Sequence, residues 1–145
     1  MDGAELMRKV AAGFEKSDLR PLLDAIHEEI VWKSATKHEG LFRFDGEYKN
    51  RPGVLDILSK ISLDYTFHHL KPKEILAHGD VVWGLFDVGL SYDPKGKGST
   101  PKAVKMEMVF RWRLKDGKII EHQGFWDTAS LLIQQGAMPD PAPQP

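Results

Sequence analysis

Two side chains able to move protons draw attention: His122, in Ile120-Glu121-His122-Gln123-Gly124-Phe125-Trp126, and Asp87, in the otherwise apolar Trp83-Gly84-Leu85-Phe86-Asp87-Val88. A histidine exchanges protons near neutral pH when its geometry allows. A carboxylate buried in an apolar strand must be hydrogen-bonded, paired or protonated. Together they suggest His122 as general acid or base, with Asp87 orienting or charging it across a pocket. Each also has a plainer reading. A histidine among aromatics is often a satisfied core residue, and Asp87 could face solvent or meet an arginine. Trp32, Phe110, Trp112 and Trp126 are large side chains for a chain of 145 residues. They could form a wall that stacks on a flat apolar ligand, although core packing accounts for such residues equally well. Met108 belongs to the same wall, and Ser34 offers one hydroxyl to a ligand carbonyl.

Other chemistry finds less support. His68 and His69 are adjacent, so on a strand they point to opposite faces, and no other ligand types fall at metal-binding spacings. With no cysteine in the chain, thiolate nucleophiles and disulfides are excluded. Lys95-Gly96-Lys97-Gly98 is followed by no helix N-terminus, so it reads as a hairpin tip instead of a phosphate loop. Asp127 precedes a helical stretch and reads as its N-cap.

These residues need elements to hold them. Leu6, Val10 and Phe14 recur every four residues, which predicts an amphipathic helix over residues 4–15. Ser17-Asp18 can cap a second, short helix carrying Leu19, Leu22, Leu23 and Ile26, with Pro21 tolerated in its first turn. Ile30-Val31-Trp32 predicts a strand ending near Ser34, followed by a glycine-bearing loop over residues 36–50 with a small hairpin through residues 42–44. Asn50 and Pro52 open a third helix ending near Leu63. From Tyr65 the apolar period changes to two, giving strands at residues 65–77, 80–92, 103–114 and 118–127. A loop of Pro, Gly and Lys spans residues 93–101. A last helix is predicted at residues 128–135. One domain over residues 1–137 is expected, with a proline-rich tail at 138–145 expected to be disordered.

The last hairpin decides which side chains share a face. In residues 104–114 the even positions, from Val104 to Leu114, are all apolar and predict the buried face. A two-residue Asp116-Gly117 turn would continue that face through Glu121, Gln123 and Phe125, leaving charge inside. A three-residue Lys115-Asp116-Gly117 loop instead sets Phe110 opposite His122 and Met108 opposite Gly124, so that Ile120, His122, Gly124 and Trp126 join the apolar face. Arg111 then pairs with Glu121 on the outer face, worth about 0.2–1 kcal/mol. Gly124, between His122 and Trp126, leaves a notch for a ligand.

Twenty basic and 21 acidic side chains nearly cancel, so no field draws the chain to nucleic acid or to an anionic membrane. The N-terminal residues 1–16 are charged throughout and no apolar run approaches the ~20 residues of a membrane helix. With the absence of cysteine, this leads to an expected cytoplasmic location.

The element order, the pattern Asp116-Gly117-Lys118-Ile119-Ile120-Glu121-His122 followed by Phe125-Trp126-Asp127, and the entry to the third helix from Gly46 to Gly53 resemble the SnoaL-like polyketide cyclase branch of the ketosteroid isomerase and nuclear transport factor 2-like superfamily. The resemblance implies an α+β fold: a cone-shaped, mixed but mostly antiparallel sheet wrapped around three helices, with a short C-terminal helix. It further implies a homodimer without metal or cofactor, whose pocket does acid–base chemistry on a hydrophobic oxygenated molecule. At the positions where the resemblance places the cyclases' pocket histidine and aspartate, this chain has Phe110 and Gly124. Asp87 matches the aspartate of the Arg-x-Asp of limonene-epoxide hydrolases, with Leu85 where the arginine would stand. Two readings follow. One is a cofactor-free cyclase, isomerase or hydratase using His122 and Asp87, with Trp32, Ser34, Met108, Phe110, Gly124 and Trp126 around the substrate. The other is a non-catalytic ligand-binding or dimerising module lacking the family's acids.

Overall fold

The computed structural model describes residues 1–34, 40–95, 98 and 100–141. Helix α1 (Gly3–Glu15) starts at Asp2, whose carboxylate accepts the Glu5 backbone N–H at 2.8 Å, and buries Met7, Val10 and Ala11. The short α2 (Arg20–Ala25) takes Leu19 as its N-cap, not Ser17 or Asp18. Asp18 is engaged instead by the backbone N–H and the guanidinium of Arg20. Strand β1 (Ile26–Lys33) begins four residues before the Ile30-Val31-Trp32 run, and the polar His27, Glu28 and Glu29 fall at an irregularity between the paired residues Ile26 and Val31.

The expected loop after β1 holds a strand of its own. β2 (Glu47–Lys49) pairs antiparallel with β1. Among the described residues no hairpin forms at 42–44; Phe42 and Phe44 turn inward and stack at 5.1 Å. Residues 36–39 of that loop lie outside the described residues, as do 96, 97 and 99 of the expected hairpin tip and 142–145 of the tail.

Helix α3 (Asn50–Asp64) leads into β3 (Tyr65–His78), β4 (Val81–Tyr92), β5 (Lys102–Lys115) and β6 (Lys118–Trp126), and α4 (Thr128–Gln134) closes the described fold. Asp127 caps α4 as expected, accepting the Ser130 N–H at 3.0 Å. The six strands form one sheet in the order β2-β1-β6-β5-β4-β3. All neighbours are antiparallel except β1 and β6, which run parallel. Pro72 is tolerated in β3 because that strand is an edge, where a missing N–H breaks no second ladder. Two register shifts in β3, near Phe67 and Pro72, bend this edge. Val82, Phe86, Val88, Leu90, Val104, Met108 and Trp112 cover one sheet face, and α1 and α3 pack toward it. At Gly84 an added Cβ would sit 2.5 Å from Met7 Sδ, so the bare backbone is what lets α1 approach β4.

The β5–β6 hairpin differs from the sequence expectation in an informative way. Its turn has two residues, Asp116 (φ 54°) and Gly117 (φ 75°), with Lys115 paired to Lys118. Two left-handed φ values are what a type I′ turn needs. Such a turn alone would bury Glu121. The register shifts between Arg113 and Leu114, so Arg113 faces Glu121 and Leu114 faces Ile119, with Ile120 as the extra residue of a bulge. Phe110 is therefore opposite Gly124, Met108 opposite Trp126 and Trp112 opposite His122. His122 and Gly124 remain on the buried face, but Ile119 takes the core position expected for Ile120. Arg111 meets Glu121 diagonally at 3.1 Å, not directly across the ladder.

Deletion of Ile120 would remove the bulge and leave the pairs Leu114–Ile119, Arg113–Glu121 and Trp112–His122 consecutive, whereas an alanine inserted after Glu121 would turn His122, Gly124 and Trp126 outward. We expect the deletion variant to keep a cooperative thermal transition, read by near-ultraviolet circular dichroism, and the insertion variant to lose it; the reverse outcome would contradict this account of the register.

Candidate functional site

The sheet and helices enclose a cavity of about 430 Å³. Met7, Val10 and Phe14 of α1 and Ile57, Leu58 and Ile61 of α3 line one side. The sheet supplies Trp32 and Ser34 from β1, Phe86 from β4, Met108, Phe110 and Trp112 from β5, and His122, Gly124 and Trp126 from β6. The periodicity that makes α1 and α3 amphipathic thus also makes them walls, since their apolar stripes face a sheet that curves away from them.

His122 is held on three sides. Its ring stacks on Trp32 with centroids 3.6 Å apart, Phe110 lies at 5.6 Å, and Trp112 Nε1 donates to Nδ1 at 2.9 Å. An indole nitrogen can only donate, so Nδ1 must accept and the ring proton must sit on Nε2. Burial pushes the His122 pKa down to about 3. Protonation would also place a second N–H where Trp112 already donates, so the geometry opposes the cation as the burial does.

Ser34 lines the same cavity, and its hydroxyl donates to Asp45 Oδ1 at 3.3 Å. Asp45 also accepts the Phe42 backbone N–H at 2.7 Å, tying the aromatic loop to the end of β1. Tyr65 adds a hydroxyl that donates to Gln135 at 2.6 Å, and burial raises its pKa. Gly124 has Phe110 and Trp126 3.3–3.4 Å from where a Cβ would lie, so its missing side chain is filled by these rings. Trp126 Nε1 is buried and has no hydrogen-bond partner among the described residues.

Asp87 is not part of this site. Its neighbours Phe86 and Val88 are buried, and alternation turns Asp87 to the outer face with a 59% exposed side chain. Its carboxylate lies 3.4 Å from His69 Nε2. The structure therefore brings His122 together with Trp32, Ser34, Met108, Phe110, Gly124 and Trp126, and separates it from Asp87. No Asp or Glu lines the cavity among the described residues. Nor do any three His, Asp or Glu side chains gather there as a metal site. Sequence reasoning missed Asp45, Tyr65, Phe42 and Phe44. The two phenylalanines gave a signal, since aromatics two apart in a glycine-bearing loop seldom stay in water.

Residues 7–122 match the SnoaL-like domain family, and the chain belongs to that family. No curated protein sequence matches it. Among solved structures, a nuclear transport factor 2-like protein of unknown function from Burkholderia pseudomallei superposes with a TM-score of 0.76 at 17% identity, covering 92% of this chain and 98% of that one. A proposed polyketide cyclase from Pseudomonas putida gives a TM-score of 0.72 at 16% identity over 92% of this chain and 98% of that one. TerC, co-crystallised with polyporic acid, gives a TM-score of 0.74 at 19% identity over 91% and 96%. These likenesses establish the α+β nuclear transport factor 2-like fold. Among the described residues no helix is long and apolar enough to cross a membrane.

The depressed pKa of His122 makes a prediction about stability. The unfolded chain takes up a proton on this residue below its ordinary pKa of 6.5, whereas the folded chain resists until about 3. Stability is thus complete above that ordinary value and is lost as pH falls through the window. Between about pH 7.5 and about pH 5 the unaltered chain should lose about 2 kcal/mol more than His122→Gln, measured by urea unfolding. Equal losses would mean that His122 is not held neutral.

Proposed function

We propose that this protein binds a small, flat, hydrophobic molecule in the cavity between sheet and helices. The observation that carries the reading is the cavity itself, about 430 Å³ with aromatic and aliphatic walls. That volume falls in the range of small-molecule sites. The crystallisation of TerC, a chain of the same fold, with polyporic acid is consistent with it.

Binding without acid–base turnover fits better than the cyclase, isomerase or hydratase reading. Asp87 lies on the outer face, His122 has Nδ1 occupied by Trp112, and no carboxylate lines the cavity among the described residues. Such a binder needs no cofactor. A cytoplasmic location accords with the lack of cysteine.

The test is a titration with fluorene, a flat hydrocarbon, followed by quenching of tryptophan fluorescence. We expect saturable one-to-one binding that Gly124→Val weakens by about tenfold or more, since the added methyls enter space already bounded by Phe110 and Trp126. Absence of saturable binding would overturn the reading.

The outer face supports a second property, self-association as a homodimer. Trp83 and Phe125 are exposed there, stacked at 6.3 Å, with the Arg111 guanidinium 5.9 Å from the Trp83 ring. Aromatics and arginine in one exposed patch have the composition of an interface. Sedimentation should give a dimer for the unaltered chain and a monomer for Trp83→Asp; a monomeric unaltered chain at high micromolar concentration would remove the proposal.

A further inference from the structure

A second, smaller cavity of about 170 Å³ lies where the loop after β1 meets the ends of α3, β4 and α4. Its chemistry is the opposite of the first one's, since Arg43, Asp64, Tyr65, Tyr92 and Gln135 line it with polar side chains. Asp64, Gln135 and Tyr65 keep only 8, 8 and 9% of their surface exposed. Arg43 gives Nε and Nη2 to Asp64 at 2.9 and 3.3 Å, so these two charges cancel within the wall. Tyr65 gives its hydroxyl proton to Gln135 Oε1 at 2.6 Å and keeps an oxygen able to accept. Gln135 Nε2 is left with no partner among the described residues. It is not sealed in, because Trp126 Nε1 is the one unpaired side-chain nitrogen or oxygen among them that is fully enclosed. The Gln135 NH2 group therefore opens onto the cavity that its residue lines. The Tyr92 hydroxyl, also without a partner among the described residues, adds a group that can donate or accept.

We propose that this cavity is a second binding site, selective for a small uncharged molecule that carries both a carbonyl oxygen and an N–H, a primary amide or a urea. The carbonyl oxygen accepts from the Gln135 NH2 group, and the ligand N–H donates to the lone pairs that Tyr65 and Asp64 retain. Asp64 has spent one lone pair of each oxygen on Arg43 and has another on each. A carboxylate would bring its charge beside Asp64, and a cation would face Arg43. With those two charges already cancelled, either ion would be buried without a counter-charge. An NH2 group in so confined a space is poorly hydrated, so an acceptor brought to it gains more than at an open surface. The site does not depend on what the large cavity binds, although Tyr65 lines both.

Propionamide and propionate, alike in shape and differing in charge and in N–H groups, are the probes. In nitrogen-correlated proton spectra the Gln135 NH2 signals, identified by their loss in Gln135→Met, should shift saturably with propionamide. The Kd should fall in about the millimolar range expected of so few atoms. Backbone signals of Arg43, Tyr65 and Tyr92 should move in parallel, and those of Met7 and Val10, which line the large cavity, should not. Propionate should bind at least about fivefold more weakly. Gln135→Met keeps the length of the side chain and removes the donor. It should weaken propionamide binding by about fivefold or more, followed at the Arg43 and Tyr92 signals. A shift that never saturates, the behaviour of a pocket holding water alone, would overturn the proposal. So would propionate binding as tightly as propionamide, undiminished binding by Gln135→Met, or shifts centred on Met7 and Val10. Should Gln135→Met fail to fold, the NH2 signals are assigned through their proximity to the Tyr65 ring, and saturation and the ratio of the two affinities in the unaltered protein decide the matter. None of these outcomes bears on the large cavity, which fluorene tests separately.

Discussion

The bulge at Ile120 determines which half of β6 meets the cavity. A strand alternates its side chains, so one added residue exchanges its two faces from that point onward. A type I′ turn at Asp116-Gly117 sets one parity, and the charged residues of β6 require the other. Ile120 reconciles them. Past it, His122, Gly124 and Trp126 face inward while Glu121 reaches the arginines of β5 on the outside. Every feature of the candidate site on this strand keeps its orientation because the bulge takes that extra residue out of the ladder.

The aromatic packing that follows has an electrostatic consequence. A histidine stacked on Trp32 and hydrogen-bonded by Trp112 is a rigid, uncharged wall group with one N–H to offer. The same contacts that order the ring oppose the proton exchange that made it attractive as a catalyst. A polar residue in a ligand cavity can thus serve recognition through being unable to titrate, and the low pKa attributed to burial agrees with what the indole donor requires.

Much of this was legible in the residues, because it depends on patterns that repeat. The four-residue spacing of Leu6, Val10 and Phe14 and the alternation from Val104 to Leu114 each report a face many times over, so one irregularity does not hide them. Single events were harder to see. β2 is three residues long and carries only Tyr48 as an apolar marker. The start of β1 is masked by Glu28 and Glu29, which lie in the irregular stretch between the paired residues Ile26 and Val31. For the closing hairpin, the pattern established the buried face correctly but could not separate a longer loop from a tight turn with a bulge, since both restore the same parity. Asp87 shows the opposite limit: alternation placed it with Trp83 and Leu85, and only the assembled sheet shows that this set is the outer one.

The strand order has a consequence in time. β6 is the last strand of the chain but lies inside the sheet, between β1 and β5, and it is the parallel partner of β1. While the chain emerges from the ribosome, the side of β1 that β6 will occupy has no strand to pair with until residues 118–126 appear. The helices and the β3–β5 meander can form early, but the sheet cannot be joined into one until nearly the whole domain exists. Late closure of this kind leaves a bare strand edge open to wrong partners during synthesis, and it makes completion of the cavity the final step of folding.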